Sequence, residues 1–197
     1  MNIIFDVGGV ILNWDPVEII KSFFPEEENP KEILNKLIQH EDWANLDKGV
    51  IEQSEAVRNM AERTDFEEQL IEDFFDHSAA YLSLKEDTLT LIEELKVQNH
   101  ELYVLSNMHL NTIDCLKTNF SFWDSFKGIV FSAEVKMIKP DREIYQHILE
   151  KYSLEPENTI FIDDMSENVE AANRLGIHGI LFKDAKTLKS QLADLLI

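Results

Sequence analysis

Apolar positions along the chain fall into two regimes. At the start, Ile3-Ile4-Phe5 runs unbroken into Asp6, followed by Val7, Gly8 and Gly9, and apolar character resumes at Val10-Ile11-Leu12. An apolar run stopped by two glycines predicts a strand buried on both faces and ended by a tight turn. From Asp15 to Leu84 the spacing becomes helical and no strand is expected. The first helical segment runs from Pro16 to near Phe24, and a second carries Ile33, Leu34, Leu37 and Ile38. A third follows Ser54 with Val57 and Met60, and a fourth spans Phe66 to Leu82 with Leu70, Ile71, Phe74 and Phe75 on one face.

Beyond Lys85, helical and extended patterns alternate. Strands are predicted at Glu101–Ser106, Gly128–Phe131, Thr159–Asp163 and Gly179–Phe182. Helices are predicted at Glu86–Gln98, Leu110–Thr118, Asp141–Tyr152 and Thr187–Leu195, with one more capped by Ser166 and stopped at Gly176. This alternation predicts an α/β fold, a parallel sheet sandwiched between helical layers. A small helical bundle is inserted behind the first strand. The expected division is a core of residues 1–14 and 85–197 and an insert of residues 15–84.

Composition narrows the partners. With 197 residues the chain suffices for one domain carrying a smaller insert. Lys and Arg number 18 against 38 Asp and Glu, a formal charge of −20. Such an excess repels polyanions, so neither nucleic acid nor an anionic membrane is an expected partner. The single Cys115 excludes an intramolecular disulfide and any multi-cysteine metal cluster, and reads as a buried structural thiol. No apolar stretch approaches the length of about 18 residues that a membrane span needs. The N-terminus lacks a basic region followed by an apolar one. A cytoplasmic protein is the expectation.

Four polar features then stand where a core would choose none. Asp6 lies at the mouth of the first strand, where open α/β sheets place their ligands. Ser106-Asn107 ends the second core strand and fits either a helix N-cap or an anion site. Lys139-Pro140 opens a helix, with the proline suited to a first turn and the lysine able to neutralise a phosphate. Asp163-Asp164 ends an apolar strand, where adjacent carboxylates repel unless a cation compensates. With Asp6 they offer hard oxygen ligands suited to Mg2+.

In this order the segments resemble the four motifs of the haloacid dehalogenase-like hydrolases. Phe5-Asp6-Val7-Gly8-Gly9-Val10 is similar to the first motif, Ser106-Asn107 to the second, Lys139-Pro140-Asp141 to the third and Phe161-Ile162-Asp163-Asp164 to the fourth. The insert resembles their C1 cap, and its Trp43-Ala-Asn-Leu46-Asp47-Lys-Gly49 is similar to a segment of small phosphatases of the glucose-1-phosphate type. The resemblance implies a three-layer Rossmann-like core and a phosphatase acting on a small phosphorylated metabolite such as a sugar phosphate, as a monomer or weak homodimer. It implies that Asp6 attacks phosphorus to give an aspartyl-phosphate. Mg2+ would be held by Asp6, the Gly8 carbonyl and Asp164, with Asp163 binding directly or through water. Ser106, Asn107 and Lys139 would bind the phosphoryl oxygens, Asn168 would orient Asp164, and Trp43, with His40 and Asp47, would set specificity from the cap.

One position departs from the pattern. Many phosphatases of this family carry an acid two residues after the nucleophile as proton donor; here that residue is Gly8. General acid catalysis is worth about 10²–10⁴-fold, so an intrinsically good leaving group is expected, with Asp15 the candidate replacement donor. A dehalogenase using the same Asp6 and a non-catalytic phosphometabolite-binding protein are the competing readings. The dehalogenase pattern wants an arginine near the start of the cap, whereas the arginines are Arg58, Arg63, Arg142 and Arg174.

Overall fold

Ile3, Ile4 and Phe5 are completely buried because their strand occupies the centre of a five-stranded parallel sheet. The computed structural model describes residues 1–196. Strand β1 (Asn2–Phe5) is flanked by β4 (Glu101–Ser106) and β6 (Thr159–Asp163), with β5 (Gly128–Phe131) and β7 (His178–Leu181) outermost, in the order β5-β4-β1-β6-β7. Register is continuous across the centre, with Phe5 opposite both Val104 and Ile162. Carboxyl ends therefore align at one edge.

Side-chain alternation divides the core into two layers. On one face Ile3, Phe5, Val104 and Ile162 pack under α6 (Glu86–Val97), α7 (Leu110–Asn119) and α11 (Ala185–Leu195). On the other, Ile4, Tyr103, Leu105 and Phe161 meet α9 (Arg142–Tyr152) and α10 (Ser166–Asn173). This is the expected three-layer α/β/α arrangement.

Behind β1 the chain leaves the sheet through β2 (Leu12–Asn13) and returns through β3 (Ser83–Leu84), which pair antiparallel as a narrow two-strand connection. Between them lie α1 (Pro16–Phe23), α2 (Pro30–Lys36), α3 (Glu41–Asp47), α4 (Gln53–Arg63) and α5 (Glu68–Tyr81). These helices share a separate core of Ile19, Ile20, Trp43, Leu46, Val57, Met60, Ile71 and Phe74.

Several local expectations need correction. The stretch around Ile33 to Ile38 does not run on: α2 stops at Lys36, and Glu41–Asp47 forms a helix of its own. A two-turn helix offers too few apolar positions to declare a period. Strand β3 was likewise unexpected, because two residues carry no alternation. Ser166 is the first helical residue of α10 rather than its cap, which is Met165. Helix α9 begins at Arg142, so Pro140 lies ahead of its first turn, after a cis Lys139–Pro140 bond. Cys115 is half-buried rather than fully enclosed, and its Sγ accepts from Asn119 Nδ2 at 3.3 Å.

Within the insert, one buried carboxylate carries a testable contribution. Asp42 accepts from Arg63 Nη2 at 2.8 Å and from Asn59 Nδ2 at 3.3 Å, with His40 Nδ1 2.8 Å away. Burial works against its charge, but these donors prevail and hold the carboxyl below its ordinary value. A depressed carboxyl stabilises the fold above its unfolded value of about 3.9 and loses that contribution as pH falls through the folded one. Asp42→Asn is therefore expected to destabilise by about 1.5–3 kcal/mol from neutral pH down to about pH 5. Below about pH 4 the gap to wild type should narrow progressively, which urea midpoints at pH 7, 5 and 3.5 would reveal.

Candidate active site

Asp6 extends β1 by one step, its backbone N–H donating to Ile162 at 2.9 Å. The chain then turns tightly, and Val7 O accepts from both Ile11 N and Leu12 N. Gly9 sits at φ +73, and a Cβ there would overlap the Asp164 carboxylate. Glycine is thus required both for the backbone conformation and for the close approach of the two loops.

At the same sheet edge, β4 delivers Ser106 and β6 delivers Asp163, both essentially buried. Lys139 arrives from the loop after α8 (Ser132–Val135), a helix the sequence reading missed. Its Nζ lies 2.9 Å from Asp6 Oδ1 and 2.6 Å from Asp163 Oδ2. Asp6 Oδ1 also accepts from Val7 N at 2.7 Å, so that oxygen is held from two sides. Residues 6, 106, 139, 163 and 164 therefore meet at one place although they lie far apart in the chain.

Two side chains do something other than expected. Asn107 donates Nδ2 to Lys139 O at 2.9 Å and accepts Lys139 N on Oδ1 at 2.8 Å. Its amide splices two loops together and holds Lys139 in place. Asn168 bonds Asp163 at 3.0 and 3.1 Å, not Asp164. The first turn of α10 brings position 168 back over the end of β6, where Asp163 is the nearer acid. With Met165 N also donating to it at 2.8 Å, Asp163 is saturated by protein donors.

Charge in the cluster is unbalanced. Burial pushes the Asp6 carboxyl up to about 7; Lys139 pulls it down, and the Asp163 charge pushes it further up. Burial also raises Asp164, with Asp163 adding to the effect. Lys139 goes the other way: burial disfavours its charge, but the two carboxylates overcome this and raise it. Three carboxylates thus have oxygens within 4.8 Å of one another, and the one ammonium beside them pairs with Asp6 and Asp163. Such a donor set, hard, anionic and short of positive charge, fits a divalent cation of the Mg2+ kind.

Above the cluster lies a cavity of about 410 Å³, bounded by the sheet edge below and the inserted helices above. Trp43 belongs to both its wall and the insert's core, stacked on Phe75 with ring centroids 5.0 Å apart. Asp47 reaches the wall as well. His40 does not line it, because its ring is engaged with Asp42. Asp15 also falls outside: its carboxylate caps α1, accepting from Val17 N and Glu18 N at 3.1 Å. It is therefore no replacement for the acid missing at Gly8, beside which the Trp14 side chain stands.

Sequence reading missed His109 entirely. Its Nδ1 is 2.9 Å from Asp47 Oδ1 and its Nε2 2.7 Å from Thr112 Oγ1, so it joins the sheet layer to the insert. Ser132 makes a second tie, accepting from Met108 N at 2.8 Å and donating to Asp47 O. A third is steric, since a Cβ on Gly49 would overlap the Ala133 backbone. A lone histidine and a lone serine give no pattern; only the packing reveals them.

The chain is similar to several known proteins. Over 193 residues the chain is 29% identical to a sesquiterpene phosphatase of Aspergillus oryzae, covering 98% of this chain and 95% of that one. It is 26% identical to a drimenol cyclase of Aspergillus calidoustus, of which it spans 36%. A haloacid dehalogenase-family enzyme of Bacteroides thetaiotaomicron, solved with magnesium and inorganic phosphate, superposes with a TM-score of 0.76 at 26% identity, covering 93% of this chain and 94% of that one. Residues 3–182 match the profile of the haloacid dehalogenase-like hydrolases, and the chain belongs to that family.

Proposed function

We propose that the protein is a Mg2+-dependent phosphomonoesterase acting through an aspartyl-phosphate on Asp6. The observation that carries this reading is the Asp6–Lys139–Asp163 contact beside Asp164, four groups from two strand ends and one loop brought together. Phosphatases among the relatives support it.

On this reading Asp6, Asp164 and the Gly8 carbonyl hold the metal, and Asp163 serves to position Lys139. When bound, Mg2+ offsets the charge that would keep a carboxylate from a phosphate dianion. Oδ2 of Asp6 attacks phosphorus, and the bond from phosphorus to the ester oxygen breaks. The leaving alkoxide takes its proton from water, since Gly8 supplies none. Lys139 and the Ser106 hydroxyl stabilise the charge on the transferring phosphoryl oxygens. Water then cleaves the acyl phosphate, releasing inorganic phosphate and restoring Asp6.

Metal binding can be tested apart from turnover. Ligands that bind only the folded state raise its stability by about 2.7 kcal/mol at a hundredfold excess over Kd. Mg2+ is therefore expected to raise Tm of the wild type by about 5–10 °C at saturation, and Asp164→Asn to abolish most of that rise. An unchanged Tm with millimolar Mg2+ would count against the metal site.

A further inference from the structure

The cavity wall says more about the substrate than the phosphate cluster does. Trp14, Ile38, Trp43, Leu82, Met108 and Ile138 all face it. Apart from the Asp47 and Glu167 carboxylates, several polar groups on the wall are already satisfied by protein. Ser78 donates to Phe74 O at 2.7 Å, both His109 ring nitrogens are engaged, and the Asn107 and Asn168 amides are tied to Lys139 and Asp163. Hydroxyls of a bound sugar would exchange water for few partners, and each buried hydroxyl left unpaired weakens binding by about tenfold.

Charge on the wall discriminates further. Among the described residues Lys139 is the one lysine or arginine lining the cavity and it is committed to Asp6 and Asp163, whereas Asp47 and Glu167 are acids on the same wall. A second phosphate would meet two carboxylates and no free cation.

We infer that the substrate is the monophosphate ester of a small, uncharged, predominantly apolar alcohol rather than of a sugar or nucleoside. The inference rests on the phosphomonoesterase reading above and narrows it. It replaces the sugar-phosphate expectation carried by the family resemblance.

A homologous series isolates the effect. Ethyl, butyl, hexyl and octyl phosphates have nearly the same leaving group, so differences in kcat/KM report burial of the chain. With Mg2+ present, kcat/KM is expected to rise by about fourfold per methylene until the cavity is filled. Glucose 6-phosphate, also an ester of a primary alcohol, should fall at least tenfold below hexyl phosphate. Ile38→Asn, at a half-buried wall position outside the reacting groups, should lower the rate with octyl phosphate several-fold more than the rate with ethyl phosphate. A flat series, or glucose 6-phosphate outrunning hexyl phosphate, overturns the inference while leaving the phosphatase reading intact. Calorimetric binding of the same esters to Asp6→Asn with Mg2+ separates the two. Ranking by chain length there, without turnover in the wild type, would sink the phosphatase reading and keep the apolar ligand. Absence of any ranking in both measurements would remove the ligand class as well.

Discussion

Asp6→Asn is expected to lower kcat for phosphate-ester hydrolysis by about four to six orders of magnitude, while the protein stays folded. The first half follows from chemistry: an amide cannot form an acyl phosphate, so both half-reactions lose their pivot. The second half follows from the cluster. Asn retains the shape, and Lys139 keeps its partner in Asp163 at 2.6 Å. Burial already raises the Asp6 carboxyl to about 7, which means that the metal-free fold prefers this group uncharged. A raised carboxyl begins to destabilise the fold above its unfolded value of about 3.9 and does so in full above its folded one, so the neutral variant should equal or exceed wild-type Tm, most visibly above about pH 7. Phosphate release and thermal melts on the same preparations measure both halves. Residual activity above a per cent of wild type, with contaminants excluded, would place the nucleophile elsewhere.

Lys139→Met is expected to damage stability and activity together. Its ammonium is the cation shared by Asp6 and Asp163, and all three side chains are buried. Deleting one partner of a buried pair leaves uncompensated charge and typically costs about 3–5 kcal/mol. In a chain of this size that lowers Tm by about 6–20 °C. Turnover should fall by a further 10²–10³, roughly the value of one preorganised donor to a developing oxyanion. Lysine raised by its carboxylates stabilises the fold below its unfolded value of about 10.4 and loses that contribution only as pH rises through the higher folded one. The deficit should therefore persist through neutral pH, and narrow with added Mg2+ or at acid pH, where the carboxyls protonate. Chemical denaturation at pH 8 and pH 5, with and without Mg2+, would show it. A melting curve matching wild type at pH 8 would mean that the ammonium does not compensate the acids.

Strand ends and their order could be read directly from the chain, because a buried parallel strand must be apolar throughout and its first polar residue marks the mouth. Ile3 to Asp6, Leu102 to Ser106 and Ile160 to Asp163 each show that transition, and the structure brings all three to one edge. The inserted helices were legible where an apolar stripe persisted, as along α5, and illegible where it lasted less than two turns, as along α3. Chemical type at positions 6, 106, 139, 163 and 164 was likewise in the residues themselves.

Partnership was not. Whether Asn107 grips a ligand or the Lys139 backbone, and whether Asn168 serves Asp163 or Asp164, depends on which atoms lie within about 3 Å, a matter of loop path and helix phase. His109, Ser132 and Gly49 acquire their roles only where the insert meets the sheet layer. The apolar wall above the cluster is assembled from segments spread between residues 12 and 165, none of which looks like a binding site alone. Periodicity is a property of neighbours in the chain and so the sequence determined the elements. Pairing and cavity shape are properties of neighbours in space, which only the packed fold creates.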